Sequence, residues 1–152
     1  MNSWDQLEFL LGNWSSPVSG QPGQGIAGST SFSFDLDRKI MIRRSRAEFA
    51  PEAGQSKGLA HDDLLVIYLQ PGESQFRAIY FDNEGHIIHY GLVFPQDRPA
   101  SVAFESEASE ISPRARLTYQ AIADGTLEIE FSVAAPGGQL LSHVKGMVRR
   151  ES

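Results

Sequence analysis

A chain of 152 residues, 41% hydrophobic and 10% aromatic, is long enough to bury the core of one domain and too apolar to stay disordered. Its formal charge of −6 and pI near 5.1, with no long basic run, argue against a nucleic-acid partner. The absence of cysteine removes disulfides, thiolate metal sites and a cysteine nucleophile together.

From the start of the chain, residues 3 to 11 have the pattern of a short helix. Ser3 can cap it, Asp5 and Gln6 occupy the first turn, and Gly12 can end it. Trp4, Leu7 and Leu11 fall at helical spacing, with Phe9 and Leu10 widening the apolar stripe. So short a helix is marginal alone and needs something larger to pack on. Met1-Asn2-Ser3-Trp4-Asp5 shows no secretory signal, and no apolar run approaches the roughly 20 residues of a membrane-spanning helix. A cytoplasmic protein without a membrane partner is the expectation.

After Trp14 the texture changes to short strand-like runs. The segment from Gly20 to Gly25 reads as a loop rather than a phosphate cradle, because no strand and helix flank it. Between 29 and 36, Thr30, Phe32, Phe34 and Leu36 alternate with Ser29, Ser31, Ser33 and Asp35. A second run covers 39 to 49, and a polar loop follows from Pro51 to Lys57. Leu64 to Leu69 is continuously apolar, as expected of a strand buried on both faces. Phe76 to Phe81 and His86 to Phe94 flank Asp82-Asn83-Glu84-Gly85, which predicts a hairpin with Gly85 in the left-handed position. Val102 and Phe104 mark another strand. Two alternating runs, Arg114 to Ala121 and Leu127 to Val133, meet at Asp124-Gly125, and a last run extends from Leu140 to Arg149.

Counting the segment around Trp14, about ten strands follow one another at the spacing of a sandwich or barrel. Residues 1–152 are therefore expected to form one all-β domain, an antiparallel up-and-down β-barrel of about ten strands with a short N-terminal helix. Closure would remove exposed edges and allow a ligand inside. A fully packed two-sheet sandwich is the alternative.

Leu10-Leu11-Gly12-Asn13-Trp14 resembles the G-x-W signature that opens the first strand of calycins, and Arg149 and Arg150 stand where calycins carry a basic residue packing on that tryptophan. The order of helix, G-x-W, about ten strands and terminal arginine is similar to the fatty-acid-binding-like branch. Within that branch it looks closest to bacterial domains of unknown function, and more distantly to nitrobindins. The resemblance implies an intracellular barrel that holds a small hydrophobic molecule. It also implies that Trp14 and one of the two arginines plug one barrel end, where an indole under a guanidinium gains about 0.5–2 kcal/mol. The nitrobindin likeness implies His143 as an axial haem ligand, although Val148 stands where that family carries an aromatic residue. Otherwise no cofactor is expected. The alternative for His143 is a wet outer face shared with Lys145 and Arg149.

Candidate ligand-binding residues follow from strand parity. Arg44 and Arg46 share a face with Ile40 and Ile42; if that face is internal, the two guanidiniums form a clamp for a carboxylate. The other register puts Met41, Ser45, Ala47 and Phe49 inside and both arginines in water. In the hairpin, Tyr80, His86, Ile88 and Tyr90 share one face, while Arg77, Ile79 and His89 share the other, and either could point inward. Phe32, Phe34 and Phe131 would complete an apolar wall. His86 and His89, three apart, point to opposite faces and cannot jointly chelate a metal, and no metal site is expected. Asp62-Asp63 and Glu128-x-Glu130 read as solvated strand ends and faces. No G-x-S-x-G and no P-loop occurs, so an enzyme is the less expected class, its acid–base groups being His86, His89 and the tyrosines. A homodimer stays open.

Overall fold

The computed structural model describes residues 3–16, 25–49, 54, 59–107 and 113–151. Ten strands follow the N-terminal helix: β1 (Gly12–Ser16), β2 (Gly25–Asp35), β3 (Ile40–Phe49), β4 (Leu59–Leu69), β5 (Phe76–Asp82), β6 (Ile87–Val93), β7 (Ser101–Ser106), β8 (Arg114–Ala123), β9 (Thr126–Ala134) and β10 (Leu141–Arg150). Each pairs antiparallel with its neighbour in sequence, and β1 beside β10 closes the barrel. The barrel thus holds against the sandwich alternative.

Register decides what the lumen receives. Phe32 on β2 stands opposite Arg43 on β3, Arg43 opposite Leu65 on β4, Leu65 opposite Tyr80 on β5, and Tyr80 opposite Ile88 on β6. Directly opposed residues share a face. Phe32 and Leu65 are buried, so Arg43 goes inside with them, and Arg44 and Arg46 go outside.

The helix, Trp4–Leu10, has 3₁₀ geometry, and the Ser3 hydroxyl caps it by accepting from the Asp5 amide at 3.0 Å. It plugs the end of the barrel where β1 begins. Leu7 and Leu10 are fully buried, and Trp4 meets Phe34 and Phe76 edge-on with centroids 5.3 and 4.8 Å apart. The Leu11 amide bonds back to the Glu8 carbonyl, and the chain then enters β1 through Gly12 at φ +126°. Only glycine adopts that backbone comfortably, and a Cβ there would strike the Arg150 guanidinium. The same guanidinium lies 4.2 Å from the Trp14 ring centre and donates to the Leu11 and Phe9 carbonyls, while the indole Nε1 donates to the Leu10 carbonyl at 2.8 Å. The expected end plug is therefore Trp14 with Arg150, and Arg149 is exposed.

Two expectations are corrected. Leu36 does not continue the inward series of β2. It sits in a turn with Asp37 and Arg38, all three at positive φ (51°, 55° and 63°), and is 65% exposed. Arg38 fastens this turn to the plug, lying 4.0 Å over the Phe34 ring and pairing with Glu8 at 3.0 Å. Nor is Leu64 to Leu69 buried on both faces. Leu65 and Ile67 are fully buried in the lumen, but Leu64 and Val66 are only half-buried, because a barrel wall has one dry face. The hairpin glycine Gly85 is left-handed as expected, at φ 91°. Gly20–Gln24 and, apart from Gly54, the Pro51 to Lys57 loop lie outside the described residues. Among the described residues no helix is long and apolar enough to cross a membrane.

Candidate ligand cavity

The lumen has two halves. Near the plug it is filled by Leu7, Leu10, Trp14, Phe32, Met41, Ile67, Phe76 and their neighbours. Towards the β5–β6 hairpin it is hollow, with a cavity of about 520 Å³. One wall is apolar: Ile88, Leu117, Phe131 and Val144. The other is polar: Arg43, His61, Asp63, Tyr80, Asp82 and His86, with Tyr90 between the two walls.

The polar wall is a hydrogen-bonded network built on three strands and a turn. Arg43 is 4% exposed; it donates to the Tyr119 hydroxyl at 2.8 Å and forms an ion pair with Asp63. Burial opposes its charge, but Tyr119 and Asp63 hold its pKa above the ordinary arginine value. Burial pushes the Asp63 carboxyl up, against the pull of Arg43 and His61. Tyr80 donates to Asp82 at 3.0 Å, and His61 places Nε2 3.1 Å from the Tyr80 oxygen and Nδ1 3.0 Å from Glu84.

Burial pushes all three lumen tyrosines up, Tyr90 to about 12 and Tyr80 and Tyr119 also above their ordinary value. They line the lumen as neutral hydroxyls, which is the form that binds and orients rather than abstracts protons. The Tyr90 hydroxyl has no hydrogen-bond partner among the described residues, although the side chain is 3% exposed.

Asp82 organises the rim. Its carboxylate accepts from the Glu84 and His86 amides at 2.9 Å each, from His86 Nδ1 at 2.9 Å and from Tyr80. Burial raises its pKa, but the bonds from His86, Tyr80 and Glu84 outweigh that and hold it at about 2, below the ordinary 3.8. A folded-state pKa below the unfolded one means stability that is present above the unfolded value and lost as pH falls through the folded one. Acid unfolding of the parent is expected to include this loss between pH 3.8 and about 2. Asp82→Ala should destabilise by about 1–3 kcal/mol at pH 7 and flatten the dependence in that window, measured by urea melts across pH.

Of the residues singled out from sequence, Tyr80, His86, Tyr90 and Phe131 line the cavity. The hairpin face that points inward is thus the one carrying Tyr80, His86, Ile88 and Tyr90, while His89 is exposed outside. His86 is itself 63% exposed, at the mouth. Phe32 and Phe34 belong to the filled half, Phe32 against Tyr119 and Phe34 against the plug. Arg44 and Arg46 do not line this cavity; they border a separate pocket of about 600 Å³. Both stand on the outer surface, where Arg46 pairs with Asp62 and Glu48. The side chain of His143 lies outside the described residues.

Asp63 is also corrected: it faces the lumen rather than water, and only Asp62 is the solvated member of the pair. Motif and parity reading missed Arg43, His61, Asp63 and Asp82 of the polar wall, Leu117 and Val144 of the apolar wall, and Tyr119 behind Arg43. Parity held the signal, because Arg43 lies between Met41 and Ser45, so a register with those two inside carries Arg43 with them. Among the described residues no three His, Asp or Glu side chains stand close enough to hold a metal ion. No protein-family model matches the chain, and no curated protein matches it in sequence.

Proposed function

We propose that this barrel binds a small, mainly apolar molecule in the hollow half of its lumen. The observation that carries the reading is the cavity itself. Its volume of about 520 Å³ falls within the several hundred Å³ usual for small-molecule sites, and an apolar wall faces a short run of fixed polar groups. A barrel serving only as an outer interaction surface would have no need of a lumen left unfilled beside a buried ion pair. The ten-strand up-and-down order and the Gly12, Trp14 and Arg150 plug support a place among calycin-like barrels. Fold alone does not give function, so the proposal rests on the site.

Leu117 lines the cavity beside its strand partner Phe131, and a tryptophan there would project into it and narrow the space for a ligand. Nile red, a neutral apolar dye whose emission shifts on leaving water, is expected to bind the parent and to bind Leu117→Trp at least about tenfold more weakly, or about 1.4 kcal/mol. Thermal melts check that the variant stays folded, since overpacking costs about 1–3 kcal/mol. Equal dye binding by both folded proteins would place the dye elsewhere and defeat the proposal.

A further inference from the structure

We infer that the polar end of the ligand is basic, so that the cavity takes an apolar molecule carrying an amine; this rests on the lumen-binding reading above. Among the described residues the cavity is lined by one guanidinium, and it is already engaged. Arg43 gives Nη1 to Tyr119 and Nη2 to Asp63, and its Nε, though without a partner, is buried away from the cavity surface. A carboxylate entering the cavity finds no free arginine to receive it.

What the cavity offers instead is oxygen acceptors. Asp63 and Asp82 line it. Asp82 is filled by its four donors, whereas Asp63 accepts from Arg43 and His61 and keeps lone-pair sites for a further donor. Glu84, outside the lining, pairs with His61. The hydroxyl of Tyr80 spends its proton on Asp82 and so turns a lone pair towards His61. His61 accordingly has an acceptor against each ring nitrogen: Glu84 at Nδ1, and Tyr80 and Asp63 at Nε2, the last at 3.4 Å. This corner of the mouth is shaped for N–H donors. A second observation points the same way. Tyr90, 3% exposed, lines the cavity with a hydroxyl that meets no protein partner among the described residues. Its oxygen can accept from an ammonium. A carboxylate head would instead face the Asp82 carboxylate and would have to displace Asp63 from Arg43 to gain a cation.

Octylamine, octanoate and octanol have the same chain and different heads, and each can be tested for displacing Nile red at pH 8. An alkylamine, like the lysine side chain with its pKa of about 10.4, is still charged there. Octylamine is expected to displace the dye at a concentration at least about tenfold below octanoate, and also below octanol. Glu84→Gln, at a position 61% exposed, keeps the fold and should narrow the gap; Asp63→Asn should narrow it further. If Asp63→Asn fails to fold, because it leaves Arg43 unpaired, Glu84→Gln decides alone. Octanoate or octanol binding tightest, or an amine preference unchanged in every folded variant, overturns the inference. Dye bound in the lumen that no octyl compound displaces also overturns it while leaving the lumen reading intact. Dye binding that ignores Leu117→Trp sinks the lumen reading first.

Discussion

Arg43→Ala is expected to destabilise the barrel by about 3–5 kcal/mol, the cost of leaving one member of a buried ion pair without its partner. The variant strands the Asp63 carboxylate, whose side chain is 13% exposed, beside the cavity and removes the donor to the Tyr119 hydroxyl. It also removes a cation lying 5.9 Å from the centre of the Tyr80 ring. The pair itself is a different matter. Taking two charges out of water costs nearly what their attraction returns, so Arg43→Leu combined with Asp63→Leu should recover most of the lost stability. Urea unfolding of the parent, Arg43→Leu, Asp63→Leu and the double variant closes the cycle. A single Arg43→Ala costing under about 1 kcal/mol would mean that the guanidinium is solvated, and the polar wall described above would be wrong.

Trp14→Ala is expected to cost about 3–5 kcal/mol, the usual range for removing a large buried aromatic side chain. The indole is 2% exposed and fills the plugged end, its N–H tied to the Leu10 carbonyl and its face under Arg150. It also sits on the shortest seam of the barrel, where β1 and β10 share only the Trp14 with Arg150 and Ser15 with Arg149 pairings. Arg150→Ala keeps the indole and loses the cation over it, together with the bonds to Leu11 and Phe9, so its cost should be smaller, about 1–3 kcal/mol. Thermal melts rank the two. If Arg150→Ala cost more than Trp14→Ala, the plug would be held by charge and hydrogen bonding rather than by buried aromatic volume.

The fold was legible in the sequence because its strands are amphipathic and their turns are punctuated. Thr30, Phe32 and Phe34 alternate with serines, and Gly85 and Gly125 stand at hairpin turns with positive φ. The end plug was legible through the resemblance of Gly12-Asn13-Trp14 and the terminal arginines to calycins, which left open whether Arg149 or Arg150 covers the indole. The site was only half legible. In β3 the sequence Ile40-Met41-Ile42-Arg43-Arg44-Ser45-Arg46 puts an arginine on each face, so alternation cannot choose the register. Pairing chooses it, since Phe32 on one side and Leu65 on the other draw Arg43 inward, and pairing between strands distant in sequence leaves no local mark. Asp63 was misread for the same reason. An Asp-Asp pair at a strand end looks solvated until the strand beside it supplies an inward guanidinium. Leu36 failed for a local reason: three consecutive left-handed residues ended the strand without a glycine to announce it.

Native mass spectrometry of the freshly purified protein, compared with its mass after denaturation, tests the central claim of a ligand-holding lumen most directly. The account predicts a discrete excess mass on the parent, or a single bound Nile red once the dye is added, and a smaller bound fraction on Leu117→Trp. Native and denatured masses that agree, with no dye retained by the folded parent, would contradict it.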